Sequence, residues 1–241
     1  MLAFLISIFL LLAFPQTSSI DTKSILNLLE SRYRTAHTLQ ATFLETYTEN
    51  GRPVRVEAGT AFFHKPGKMR WEYQSPEKNL FLVDGKMAWF YVPADHTVTR
   101  VPAKQSSDWR TPLALLAGEM KLSRICSKVL PATDEKTQSP AHSIFSCTLR
   151  AAASSNPSTS GGSGISPDDD VPQSVYLEVL KETGELSRII VRDPGGLGIE
   201  FSFKNWRFDP PLQDTLFHFS PPPGVAIVNG LLPSESREVT R

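Results

Sequence analysis

Charge excess is the first thing this 241-residue chain lacks: 25 basic residues face 25 acidic ones. No basic stripe is available to track a phosphate backbone, so nucleic acid is not an expected partner. No basic amphipathic helix points to a membrane surface either. Histidine is sparse, and His37, His64, His96, His142 and His218 fall at no metal-ligand spacing. A Cys-x-x-Cys pair, a G-x-S-x-G elbow, a phosphate loop and a dinucleotide fingerprint are all missing. Gly195-Gly196-Leu197-Gly198 falls between strands with no helix after it, so it is not expected to cradle phosphate. Asp168-Asp169-Asp170 reads as a solvated charge run. The expectation is therefore a protein with no catalytic residues, no metal and no cofactor.

Long apolar runs are also missing after the N-terminus. The first fourteen residues are apolar except Ser7, and Pro15 follows. That is too short to cross a bilayer comfortably and sits where a secretory signal belongs. Residues 1–18 are read as a signal peptide, with cleavage between Ala13 and Ser19. Its lack of Lys and Arg leaves a short anchor or a buried N-terminal helix as the alternative. No Cys follows to be lipidated, so an exported, soluble chain is expected. Residues 19–230 read as one domain, residues 231–241 as a loose tail. Within the domain, residues 151–172 form a Ser-, Gly-, Pro- and Asp-rich insertion. Ile165 and Val171 are its only large apolar residues, too few to fold it.

Only two cysteines are present. Cys126 lies in a strand read over Lys121–Leu130 and Cys147 in one over Ala141–Arg150. If the two pair as a symmetric hairpin, the sulfurs face each other, and export favours a disulfide over two buried thiols.

What the chain does have is aromatic strand. After a helix beginning at Asp21 or Thr22, with Ile25, Leu28, Leu29 and Ala36 at helical spacing and Glu30/Arg34 as an i,i+4 pair, the period changes to two at Leu39. Asn50-Gly51, Asp84-Gly85 and Thr183-Gly184 mark hairpin turns. A two-residue turn at Asp84-Gly85 sets Val83 opposite Lys86 and Leu80 opposite Trp89. Leu80, Leu82, Met87, Trp89 and Tyr91 then share one face; Phe81, Val83, Ala88 and Phe90 share the other. A sheet that merely covers a core alternates apolar with polar. This hairpin must be covered on both sides. In the strand read over Ile199–Arg207, Phe201, Phe203 and Asn205 fall on one face, with Glu200, Ser202, Lys204 and Trp206 on the other.

Thr111-Pro112 and Gly118 bracket Leu113, Ala114, Leu115, Leu116 and Ala117 as a short capped helix. With Pro112 as the first helical position, six residues rise only about 9 Å, too short to stand in water, so the leucines must dock on something apolar. Many strands and little helix suggest a mainly β (α+β) fold. In it an incomplete, strongly curved antiparallel β-barrel wraps an apolar cavity under a helical lid. Phe43, Trp71, Leu80 or Phe81, Trp89 and Tyr91 are the candidate cavity wall, and the pattern does not say which hairpin face is concave.

Lys65-Pro66 with Arg70-Trp71, Asp84-Gly85-Lys86 with Trp89 and Tyr91, Thr111-Pro112-Leu113, and the closing Phe217-x-Phe219-x-Pro221-Pro222-x-Gly224-Val225 together resemble the periplasmic outer-membrane lipoprotein carrier family LolA. The resemblance runs from about Ile25 to Val228. It implies a monomeric periplasmic carrier for acylated lipoproteins, which it accepts from an inner-membrane ABC transporter and passes to an outer-membrane receptor. It also implies that Lys65 stands where the family has a lid-holding Arg, with Leu113, Leu115 and Leu116 in the lid. A lipoprotein-sensing domain of the same fold is the alternative, and a lipid-modifying enzyme a more distant one.

Overall fold

The computed structural model describes residues 21–103, 114–118, 121–150, 174–193 and 195–230. The expected signal peptide, the insertion and the tail lie outside these residues. The described chain runs α1 (Thr22–Thr35), β1 (Thr38–Glu49), β2 (Arg52–His64), β3 (Lys68–Ser75), β4 (Leu80–Asp84), β5 (Met87–Val92) and β6 (Thr97–Pro102). It continues with α2 (Ala114–Ala117), α3 (Leu122–Ile125), β7 (Cys126–Pro131), β8 (His142–Leu149), β9 (Ser174–Leu180), β10 (Leu186–Arg192), β11 (Leu197–Phe208) and β12 (Ala226–Asn229). All strands join one open sheet in the order β12-β6-β5-β4-β3-β2-β1-β11-β10-β9-β8-β7. Neighbours are antiparallel except β12, which adds to β6 in parallel as an edge strand the sequence did not announce. No described helix is long and apolar enough to cross a membrane.

The sheet is open and curled, and the concave face carries the core. Alternate residues Leu39, Ala41 and Phe43 of β1, Ala61 and Phe63 of β2, and Met69, Trp71 and Tyr73 of β3 are buried. Phe201 and Phe203 of β11, Ile189 and Val191 of β10, and Leu177 and Val179 of β9 join the same cluster. The stripe Ile25, Leu29 and Tyr33 of α1, three residues at i, i+4 and i+8, lies against it. Asp21 holds the N-cap position without a side-chain cap bond. The α1 backbone comes close to the β9–β10 turn because Gly184 is there. A Cβ at that position would lie 2.5 Å from the carbonyl carbon of Leu28, and its φ of +69° is one that L side chains seldom adopt. The expected Glu30–Arg34 pair gives way to tertiary bonds. Glu30 accepts from the Leu122 amide at 2.8 Å, and Arg32 pairs with Glu185 at 3.0 Å.

The Asp84-Gly85 hairpin is covered on both faces, as its composition requires, but its register differs from the expected one. Val83 pairs with Ala88, Leu82 with Trp89 and Leu80 with Tyr91. The cause is Asp84, whose Oδ1 accepts the amides of Lys86 and Met87 at 2.7 and 2.8 Å and holds a wider turn. The offset is two residues, and because strand faces alternate with period two, each residue keeps its face. Phe81, Val83 and Ala88 face the concave core. The opposite face, with Leu82 fully buried, lies under the chain that follows β11. There Phe217 is buried in a 3-10 turn (Asp214–Phe217), Arg70 donates to Leu216 O at 3.1 Å, and Lys68 pairs with Asp214 at 3.0 Å. At the other end of the convex face, the connection after β7 covers Ile144, Tyr176 and Ile190. The buried Glu178 there pairs with Arg188 at 2.7 Å and accepts the Gln138 amide at 2.5 Å.

Three further expectations are corrected. Simple alternation puts Trp206 with Lys204 and Glu200, yet its ring meets Tyr33 and Phe203 at 5.1 and 5.2 Å on the concave side. Asn205 takes φ 55°, and the β1–β11 register shifts between Gln40 and Thr42, so the alternation breaks just before the indole. The strand expected from Lys121 begins only at Cys126, after α3. Cys126 and Cys147 are bonded, with Cα atoms 5.4 Å apart, but they do not sit opposite each other. Cys126 pairs with Leu149 and Val129 with Cys147, across a bulge between Cys126 and Lys128. The bridge closes a separation of 21 residues, worth about 3 kcal/mol in the chain-entropy model. Alkylation of unfolded, unreduced protein followed by intact-mass measurement is expected to show no modified cysteine. Reduction is expected to lower the melting temperature.

Candidate functional site

The concave face is built around Trp71. Its ring lies 4.7 Å from Phe43 on β1, 5.8 Å from Phe63 on β2, and 5.4 and 6.1 Å from Phe201 and Phe203 on β11. Strands in a flat sheet are spaced about 4.8 Å, so β3 and β11, three places apart, would be separated by roughly 14 Å. Direct ring contact across that interval follows from the curl. Trp71 is fully buried, and its indole N–H has no acceptor among the described residues, a state that costs on the order of 1–3 kcal/mol.

Of the candidate wall residues, Phe43, Trp71 and Phe81 belong to this interior. Leu80, Trp89 and Tyr91 do not. They project from the convex face, where Trp89 and Tyr91 meet the Phe219 ring at 5.7 and 5.6 Å and the Arg100 guanidinium lies 5.8 Å from the Trp89 ring. The apolar richness of that face serves the C-terminal cover, a role invisible until residues 214–219 are placed on it. Towards the Asn50-Gly51 end the concave lining turns polar. Tyr73 Oη donates to the buried Glu45 at 2.7 Å, Glu57 faces Glu45 across β1 and β2, and Arg55 lies 3.9 Å over the Tyr47 ring. Period-two reading of Phe43, Glu45 and Tyr47 could have found this group.

The cover of the interior converges on the β2–β3 turn, Lys65-Pro66-Gly67. Lys65 Nζ donates to the carbonyls of Tyr33 and, at 3.4 Å, Arg34, the last turn of α1. Its backbone amide donates to His37 O at 3.0 Å, and Gly67 N donates to Ala117 O of α2 at 2.8 Å. One turn thus grips the ends of two helices, whose exposed carbonyls carry the negative end of the helix dipole. Burial holds the Lys65 ammonium below the usual lysine range, while the Asp209 carboxylate pulls the other way. Leu116 is fully buried against the core beside Ala117. Leu113 and the side chain of Leu115 lie outside the described residues. Tyr33, which the sequence reading did not single out, is the central contact of the cover. Its ring packs between Trp206 and Phe208, its hydroxyl accepts the Leu186 amide at 3.0 Å, and burial pushes its phenol well above the ordinary tyrosine range.

The family model described as "Outer membrane lipoprotein carrier protein LolA" matches residues 34–138. Over those residues the chain resembles the LolA family. The LolA match contains β1 to β6 and with them Phe43, Lys65, Trp71 and Phe81. A protein named outer-membrane lipoprotein carrier protein from Methylococcus capsulatus is 28% identical over 202 residues, 83% of this chain and 85% of its own length. Another of that name, from Nitrosomonas europaea, is 29% identical over 196 residues, covering 80% and 83%. The crystal structure of an uncharacterized conserved protein from Thermus thermophilus superposes with a TM-score of 0.50 at 12% identity, over 86% of this chain and 98% of that one, and shows the same fold.

The split of the aromatic set between two faces has a measurable consequence. Trp71→Gln is expected to weaken binding of an apolar fluorescent probe by about tenfold and to lower stability by roughly 3 kcal/mol. Trp89→Gln is expected to leave probe affinity within about twofold of the parent, since only the convex cover is disturbed. Equal losses of probe affinity in both variants would contradict the assignment of faces.

Proposed function

We propose that this protein is a periplasmic, non-enzymatic carrier that takes the acyl chains of lipoproteins into its concave interior and shuttles them from the inner to the outer membrane. The observation that carries the reading is an apolar concave face closed by helices whose ends are tied down by one turn, Lys65–Gly67. The names of the LolA relatives support lipoprotein as cargo. An acyl chain entering this face would displace the cover and replace its apolar contacts. Each methylene contributes about 0.8 kcal/mol, so a 16-carbon chain brings on the order of 10 kcal/mol before the cost of opening is subtracted. Leu116, buried beside Ala117, docks the second cover helix on the core in this reading. The Trp71 N–H, without an acceptor in the closed form, is available to an ester or amide carbonyl at the head of the chains.

Release then depends on the closed form competing with cargo for the same surface. Lys65 supplies part of that competition through charge-assisted bonds to two helix carbonyls, each worth about 1.5–3 kcal/mol at most in a half-buried setting. A donor complex in the inner membrane, of the ABC-transporter class, provides the energy of loading, and an outer-membrane receptor with a more favourable apolar site accepts the cargo. The chain itself acts as a monomer.

Lys65→Leu is expected to retain acceptance of lipoprotein from inner-membrane vesicles and to lose most onward transfer to an outer-membrane receptor. Lys65→Arg keeps a donor for the same carbonyls, in forked form, and is expected to transfer like the parent. Undiminished transfer by Lys65→Leu would remove Lys65 from the mechanism.

A further inference from the structure

The end of α1 hands its hydrogen bonds to two charged side chains. In a continuing helix the His37 amide would donate to Tyr33 O and the Thr38 amide to Arg34 O. Here α1 stops at Thr35, and Ala36 turns to extended backbone, φ −74° and ψ 135°. The His37 amide donates instead to Asp209 Oδ1 at 2.6 Å, and the Thr38 amide approaches the same oxygen at 3.3 Å. The two carbonyls those amides would have reached, Tyr33 O and Arg34 O, are the ones that accept from Lys65 Nζ. The donors of two helical bonds thus go to a carboxylate and their acceptors to an ammonium.

Asp209 is held in place for this. It sits at φ 51°, in the left-handed region that Asp tolerates better than most residues. Its own amide donates to Thr38 O at 2.9 Å, and Thr38 Oγ1 donates to Pro210 O at 2.7 Å. From the other side, the Lys65 amide donates to His37 O at 3.0 Å. The α1–β1 junction is therefore clamped between the end of β11 and the end of β2.

We propose that Asp209 is the positioning residue of the Lys65 latch: by holding the His37 and Thr38 amides it keeps the Tyr33 and Arg34 carbonyls available to Lys65, and so sets how firmly α1 closes over the interior. This rests on the reading in which Lys65 holds the cover shut. Electrostatics act in the same sense. The Asp209 carboxyl is kept below its usual range, chiefly by the His37 amide, with Lys65 among the contributing charges. With Asp209 removed, the two amides can continue the helix and claim the carbonyls, leaving Lys65 without its acceptors.

The test is a double-mutant cycle on the full exported chain, read by the affinity of the apolar probe N-phenylnaphthylamine together with the melting temperature. Apparent affinity rises with the fraction of open molecules. Asp209→Ala is expected to tighten probe binding on the order of fivefold, as is Lys65→Leu, with no further gain when the two are combined. Asp209→Asn keeps an acceptor oxygen and is expected to bind probe like the parent. A purely structural Asp209 would lower the melting temperature without changing probe affinity, or would add the same increment in both backgrounds; either result overturns the proposal. Tighter binding in Lys65→Leu with none in Asp209→Ala rejects Asp209 and leaves the latch intact, whereas no change in Lys65→Leu rejects the latch reading itself. If Asp209→Ala does not fold, amide hydrogen exchange decides the matter. Lys65→Leu is expected to speed exchange at His37 and Thr38 by about fivefold or more, because latch and clamp act as a unit, and unchanged exchange there overturns the proposal.

Discussion

The packing of Trp71 against rings from β1, β2 and β11 is the contact on which the rest of the molecule depends. An indole on one strand can meet phenyl rings three strands away only if the sheet bends sharply between them. That bend gathers the apolar faces of β1 to β3 and β9 to β11 into one concave surface, and a concave apolar surface needs a lid. The fully buried positions of α1 meet that need, with Tyr33 seated on Trp206 and Phe208 at the rim.

Two kinds of cover result, and they differ in how they are fastened. On the convex side, Phe217 and Phe219 lie on the β3–β5 surface within one continuous stretch of chain leading from β11 to the edge strand β12. On the concave side, separate helices lie over the core, and a lysine and a backbone amide of the β2–β3 turn reach the carbonyls at their ends. A permanent cover suits an ordinary second core. A cover made of separate helices over an apolar face suits a surface that exchanges occupants, and this difference marks the concave side as the candidate binding surface.

The strand order around the turns at Asn50-Gly51 and Asp84-Gly85 is legible in the sequence because side-chain alternation and turn chemistry are local properties. Face membership in the second hairpin survives a wrong register, since an offset of two leaves the parity unchanged. Alternation misplaces Trp206 because a left-handed residue, Asn205, interrupts the pattern just before it. Leu80, Trp89 and Tyr91 read as interior because the hairpin announces two apolar faces without saying which chain segment covers which.

The sequence by itself determined the class of fold, the double-faced hairpin, the apolar stripe of α1 and the LolA resemblance, all of which rest on residue type and short-range spacing. The tertiary structure decided which aromatic residues share the interior, why Cys126 meets Cys147 across a bulge, and how Lys65 and Asp209 divide the last hydrogen bonds of α1 between them. Those pairings join residues up to 172 positions apart. No local pattern can specify them, because they exist only once the curl of the sheet has brought the ends of β2 and β11 to the same turn of helix.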